Sequence, residues 1–172
     1  MDTFNLVGHS LGGGIALDYT LKSPNKVKKL VLISSLCLGR EISFWIRLCT
    51  IPEIIHSLWA VVMGVLRGVK WVVKQLSLVE FVIPLTPVSL LVGENISTFK
   101  QQSLVLENRL AEVSVPTLLV WGARDPVVPV RQAYNAARVI PDCQVKVFEK
   151  RGHNVYRDEL KQFSSVLTRF LG

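Results

Sequence analysis

A serine set between glycines, an aspartate and a histidine are the residues of this chain whose types and placement allow covalent chemistry. The pentapeptide Gly8-His9-Ser10-Leu11-Gly12 follows the strand-like run Asp2–Val7. Such a sequence holds a serine on a sharp strand-to-helix turn, in a strained backbone with its hydroxyl pushed outward. Gly8 and Gly12 are expected to keep side chains out of the crowded junction of strand and helix. A helix from Leu11 to about Lys22 would offer its N-terminal amides to negative charge developing near the serine. A serine hydroxyl is a poor nucleophile until a base takes its proton, and a carboxylate must hold that base in its working tautomer. Asp125 follows Trp121-Gly-Ala-Arg, and His153 follows Phe148-Glu-Lys-Arg-Gly, so each lies in a loop just past an apolar strand. Reactive groups on a parallel sheet gather outside the carboxyl ends of its strands. Ser10, Asp125 and His153 are therefore expected at one edge, in the chain order Ser, Asp, His.

The elements that must position them can be read from the apolar runs. Val27–Ser34, Val115–Trp121 and Gln144–Phe148 read as strands, and the unbroken run Leu30–Ile33 reads as covered on both faces. Pro24 ends the first helix, and a helix pattern between Val130 and Ile140 stops at Pro141. Tyr156–Leu171 reads as one amphipathic helix with Leu160, Phe163, Val166, Leu167 and Phe170 on one side. Strands alternating with helices predict an α/β fold with a doubly wound, mostly parallel sheet. The segment from about 39 to 113 breaks that alternation. It contains Pro52, Pro84 and Pro87 and is rich in helix-like apolar periods, so it reads as helices packed over the sheet. Within it, Ile54–Val73 is the greasiest window, yet Arg67 and Lys70 interrupt it. Each would cost about 2.5–3.5 kcal/mol at a bilayer centre, so a membrane span is not expected. The expected units are 1–38 (strand, elbow, helix and next strand), 39–113 (helical insertion) and 114–172 (the rest of the sheet).

The composition excludes several classes. A chain of 172 residues suits one domain with one core. The net charge of +7 is spread along the chain, with no basic run interleaved with aromatics, so a nucleic-acid partner is not expected. A mean hydropathy of +0.37 with basic charge suits a weak peripheral contact with anionic membrane through the insertion. Cys37, Cys49 and Cys143 are odd in number and form no C-x-x-C pair. That argues against a disulfide framework or a zinc site and for a reducing compartment. No signal-peptide pattern opens the chain. A cytoplasmic location, with membrane association as the variant, is the expectation, and no metal or cofactor is required.

The elbow Gly8–Gly14, the stretch Val115-Pro-Thr-Leu-Leu-Val-Trp-Gly-Ala-Arg-Asp-Pro-Val-Val-Pro129 and Gly152-His-Asn154 together resemble the α/β-hydrolase fold family, which has the same order of residues. The resemblance covers both ends of the chain and makes the middle the variable helical cap that such enzymes carry. It implies that Ser10 is the nucleophile, His153 the general base and later acid, and Asp125 the carboxylate that orients it. The backbone N–H of Leu11 would be one oxyanion donor. The implied reaction is acyl transfer by a serine hydrolase on a small hydrophobic substrate, a carboxylic ester first. The apolar cap residues Phe44, Trp45, Ile54, Leu58, Trp59, Val62 and Met63 suit an acyl group. Trp45, His56 and Trp59 are the cap candidates for substrate contact; His9, inside the elbow, reads first as packing and second as a contact. A carbon–carbon bond hydrolase or an aminopeptidase would use the same three residues. Ser10, where dehalogenases and epoxide hydrolases carry aspartate, sets those branches aside. The family's sheet also has strands before the nucleophile strand, and a loop that supplies a second oxyanion donor. Roughly 80–100 such residues are lacking here, at thirty-odd per βαβ unit. The expectation is an incomplete fold with an unpaired edge on its first strand and poor folding alone, and a catalytically inert fragment is the alternative.

Overall fold

Apolar residues run unbroken from Leu30 to Ile33 and from Leu118 to Trp121, as suits strands hidden on both faces. In the computed structural model these runs lie in the two central strands of a four-stranded sheet. The structure describes residues 3–41, 43, 61, 64, 65, 97, 98, 101, 102 and 105–172. Strand β1 (Phe4–His9) leads through helix α1 (Leu11–Lys22) and the 3-10 turn Pro24–Lys26 to β2 (Val27–Ile33). A small antiparallel hairpin pairs β3 (Ser97–Thr98) with β4 (Gln101–Gln102). After the 3-10 segment Glu107–Glu112 come β5 (Thr117–Gly122), α2 (Arg131–Ala137) and β6 (Cys143–Phe148). Helices α3 (Val155–Asp158) and α4 (Leu160–Leu171) close the chain. The sheet order is β1-β2-β5-β6, and every neighbouring pair is parallel. This is the α/β architecture the alternation implied.

Side chains alternate across each strand, so the two central strands feed two cores. Leu30, Leu32, Leu119 and Trp121 pack with Leu17 of α1 and Ala133 of α2. Val31, Ile33, Leu118 and Val120 pack instead with Phe163 and Phe170 of α4. Leu106, Leu110 and Val113 join the first core. Trp121 is fully buried and donates its indole N–H to the Val128 carbonyl at 3.0 Å, which folds the loop after β5 down onto the strand. Lys29 of β2 donates to the carbonyls of Phe170 and Leu171 at 2.6 and 3.2 Å, tying the end of α4 to the sheet. At the other side, β1 forms an edge among the described residues, with Phe4 and Val7 exposed.

Two elements differ from the sequence reading. The last helix is broken at Glu159, whose φ of −135° and ψ of 49° leave the helical region. The Arg151 guanidinium holds the Glu159 carboxylate there, and the Glu159 carbonyl accepts the Phe163 amide at 2.8 Å to restart the helix. Leu160 is 65% exposed, and the buried stripe begins at Phe163. The insertion is not helical throughout. Ser97, Thr98, Gln101 and Gln102 supply no apolar stripe, and they pair as a hairpin. Val61, Gly64 and Val65 are helical. Trp45, His56 and Trp59, the expected cap contacts, lie outside the described residues, as do Phe44, Ile54, Leu58, Val62 and Met63. Among the described residues no helix is long and apolar enough to cross a membrane.

Candidate active site

The elbow starts as an extension of β1. His9 pairs with Ile33 in the parallel ladder, and the Ser10 amide donates to the Ile33 carbonyl at 2.9 Å. The chain then turns sharply: Ser10 has φ 53° and ψ −120°, a conformation that costs an L residue of order 1–3 kcal/mol and survives only where its surroundings enforce it. Here the Ser10 carbonyl accepts the amides of Gly13 and Leu36, both at 3.0 Å. Gly8 is required by space, since a Cβ there would fall well inside 3.0 Å of the Gly12 backbone. Gly12 itself corrects the sequence reading: a Cβ there meets nothing within 4 Å. The crowding falls on Gly13 and Gly14, which press on the side chains of Ser35 and Cys37. Leu11 opens α1, so its amide lies among the first N–H groups that lack an acceptor within the helix.

Asp125 and His153 meet beyond the ends of β5 and β6. His153 Nδ1 lies 2.9 Å from Asp125 Oδ2 and 3.1 Å from Oδ1. The amides of Val127 and Val128 donate to Oδ1 at 2.8 and 3.0 Å. A carboxylate only accepts, so Nδ1 is the donor, and Nε2 is left as the basic nitrogen of the neutral ring. The Asp125 side chain is fully buried. Burial pushes its carboxyl up, but the hydrogen bonds from His153 and the two amides outweigh that and hold it below the ordinary 3.8. The carboxylate is thus ionised and fixed at neutral pH.

His153 has far to travel. Its strand stands three positions from β1, or about 14 Å at 4.7–4.9 Å per strand. The loop 149–154 must therefore fold back over the end of β5. Gly122 permits it, because a Cβ there would collide with the Arg151 and Gly152 carbonyls. The Arg124 amide donates to the Arg151 carbonyl at 3.0 Å, locking the loop to the Asp125 turn. At the far end of this reach, the His153 ring stands 4.8 Å from the ring of His9, the neighbour of Ser10. Among the described residues no hydrogen bond joins the Ser10 hydroxyl to His153.

His9 lies with its Nε2 3.1 Å from the main-chain carbonyl of His153 and its ring edge-on to Tyr156 at 5.1 Å. Burial lowers its pKa from 6.5, the His153 charge adds to that, and its hydrogen bond and Asp125 oppose it. No local pattern could have shown this contact, which joins positions 144 apart in the chain. The roles of Gly122 and Glu159 were equally out of reach, although the run Gly12-Gly13-Gly14 was a visible sign of close packing. A cleft of about 540 Å³, lined by Lys29, Pro116, Asp142, Lys146 and Arg169 among others, sits at the opposite ends of the strands and holds none of the three residues. Among the described residues no three His, Cys, Asp or Glu side chains converge as metal ligands would.

A parallel sheet in this order, helices on both faces and a strained serine turn after β1 define an α/β-hydrolase fold. Residues 2–160 match the family described as serine aminopeptidase, S33, and the chain belongs to that family. Solved structures of the same fold include a meta-cleavage product hydrolase from Pseudomonas fluorescens IP01, at TM-score 0.70 and 18% identity, covering 99% of this chain and 65% of that one. An esterase from Exiguobacterium antarcticum superposes at TM-score 0.59 and 23% identity over 99% of this chain and 67% of its own. The monoacylglycerol lipase abhd6-A of Xenopus laevis is 27% identical over 98% of this chain and 55% of its own length. An uncharacterized protein of Mycobacterium tuberculosis is 24% identical over 99% of this chain and 56% of its own length. The chain thus spans about half the length of the curated relatives it matches.

Proposed function

We propose that this chain carries the acyl-transfer machinery of a serine hydrolase whose substrate is a hydrophobic carboxylic ester. Ser10 Oγ attacks the ester carbonyl while His153 Nε2 takes its proton. Asp125 holds the imidazole in the tautomer with Nδ1 protonated and stabilises the imidazolium that forms. The oxyanion is met by the Leu11 amide at the start of α1. The alcohol then leaves with the proton from His153. Water, deprotonated by the same nitrogen, releases the acid from Ser10. The observation that carries this reading is the buried Asp125–His153 pair folded back to the strained elbow residue Ser10. The lipase relative supports an ester, and the cap residues Trp45, His56 and Trp59 would contact its acyl group. A carbon–carbon bond hydrolase is the second reading, favoured by a stretch of 65 residues 34% identical to a 2-hydroxy-6-oxononadienedioate hydrolase of Cupriavidus pinatubonensis. Aminopeptidase activity on the same three residues is the reading that the family's own description favours. We place the protein in the cytoplasm, with weak membrane contact through the cap.

A fluorophosphonate probe tests the core of the proposal. Wild type should be labelled and Ser10→Ala spared; equal labelling of both rejects the nucleophile. A panel of nitrophenyl esters, vinylogous diketones and aminoacyl amides then separates the three substrate classes.

A further inference from the structure

We propose that His9 is a positioning residue, which donates its Nε2 proton to the main-chain carbonyl of His153 and so sets where that imidazole stands beside Ser10. The inference rests on the reading of His153 as the base. The donor assignment follows from chemistry, because a carbonyl oxygen only accepts, so His9 Nε2 must carry hydrogen at the 3.1 Å contact.

The geometry explains why such a tie is needed. The nucleophile sits on β1 and the base beyond β6, with β2 and β5 between them. The loop that carries His153 is anchored to the turn after β5, through the Arg124 amide on Arg151 and Asp125 on the imidazole itself, and to the break before α4 through Arg151 and Glu159. None of these anchors reaches β1. The His9 contact does reach it, and it grips the residue that bears the imidazole. Its own end is rigid: His9 is in register with Ile33, and the next residue is held by four backbone hydrogen bonds, one through its amide and three through its carbonyl. An error in the 14 Å reach is therefore corrected where the proton must pass.

Packing and charge agree with a neutral donor ring. The groups that face His9 are the His153 ring at 4.8 Å, Tyr156 of α3 at 5.1 Å and, by its charge, Asp125. Burial and the neighbouring His153 both work against a cation at His9, and its neutral form needs one proton only, on Nε2. A second positive charge beside His153 would oppose protonation of the base in the reaction itself. A neutral His9 avoids that conflict.

Three variants separate this role from packing. His9→Phe keeps a ring against Tyr156 and loses the donor, His9→Gln keeps a donor at a similar reach, and His9→Ala loses both. Fluorophosphonate labelling and ester kcat should fall about ten- to a hundredfold in His9→Phe, with KM nearly unchanged, because a base displaced by a fraction of an ångström loses rate rather than affinity. His9→Gln should recover most of the rate. Equal rates in wild type and His9→Phe, or a loss in His9→Gln as large as in His9→Phe, would overturn the proposal. Long-range ¹H–¹⁵N correlation spectra of the histidine rings give an answer independent of activity. They should show His9 protonated on Nε2 alone at pH 7; a ring protonated on Nδ1 alone refutes the donor, and a cation refutes the neutral ring. If wild type labels no faster than Ser10→Ala, the hydrolase reading fails, while the ring spectra still decide the His9 contact.

Discussion

Replacing Asp125 by asparagine changes one heavy atom and should cost most of the activity. Asparagine fits the same space, and its Oδ1 can still accept the Val127 and Val128 amides at 2.8 and 3.0 Å. Its NH₂ then takes the place of Oδ2, which stands 2.9 Å from His153 Nδ1. Two donors cannot face each other there, so His153 moves its proton to Nε2 and accepts on Nδ1. The nitrogen that should take the Ser10 proton is then already protonated. A wrong tautomer in this arrangement costs about 10⁴ in rate, or about 5 kcal/mol at 1.36 kcal/mol per tenfold. Stability should fall much less. A charged hydrogen bond worth about 1.5–3 kcal/mol is exchanged for a neutral one worth about 0.5–1.5, so the loss is about 1–1.5 kcal/mol, or roughly 2–6 degrees in Tm for a chain of this size. The pH dependence adds a second signature. The folded Asp125 pKa lies below 3.8, so the stability it contributes is complete above 3.8 and is lost as pH falls through the lower folded value. The wild-type advantage in Tm should therefore hold at pH 5–7 and shrink below pH 4. Second-order rates of fluorophosphonate labelling and calorimetry across that pH range measure both. Labelling of Asp125→Asn within tenfold of wild type would refute the tautomer argument, and a Tm gap as large at pH 3 as at pH 6 would refute the ionised carboxylate.

Gly122→Ala should drive its Cβ into the Arg151 and Gly152 carbonyls, lowering stability by about 1–3 kcal/mol and slowing acylation as the loop of His153 is lifted; an unchanged Tm and unchanged labelling would show that the loop passes elsewhere. Lys29→Met keeps an apolar stem near the Phe170 ring but leaves the Phe170 and Leu171 carbonyls without their charged donor. It should cost about 1 kcal/mol, speed hydrogen exchange in the last turn of α4 and leave labelling unaffected.

What was legible in the chain follows the reach of the forces involved. The elbow could be read because its requirements are local: a strand, a glycine at position 8 and a helix beginning at Leu11 all lie within a dozen residues. The central strands could be read because hiding both faces demands unbroken apolar runs, and Leu30–Ile33 and Leu118–Trp121 have them. Asp125 and His153 could be placed in loops, since each follows the end of such a run. Contacts between distant segments left no local trace. The break at Glu159 depends on Arg151, the passage over Gly122 depends on a loop thirty residues later, and the His9 contact depends on the whole sheet order. Gly12 was misjudged for a related reason: it shares a glycine run with Gly13 and Gly14, and only the packing of Ser35 and Cys37 decides which of the three is crowded.

The same separation of local and distant forces accounts for how a long insertion can sit between β2 and β5 without disturbing the site. The chain leaves the sheet after Ile33 and returns to it at Thr117, on the strand directly beside the one it left. Before it departs, the Cys37 carbonyl accepts the Leu106 amide at 2.9 Å, and Leu38 and Leu106 are both buried in the core. The insertion is thus closed at its base by groups that belong to the fold. Closing a longer loop there adds only about 0.6 kcal/mol for each doubling of its length. One further link is drawn from that base to the chemistry. The Ser43 amide donates to the Val127 carbonyl at 3.2 Å, and the Val127 amide is one of the two that hold Asp125. The start of the insertion and the Asp125 carboxylate therefore both bond to Val127, the first through its carbonyl and the second through its amide.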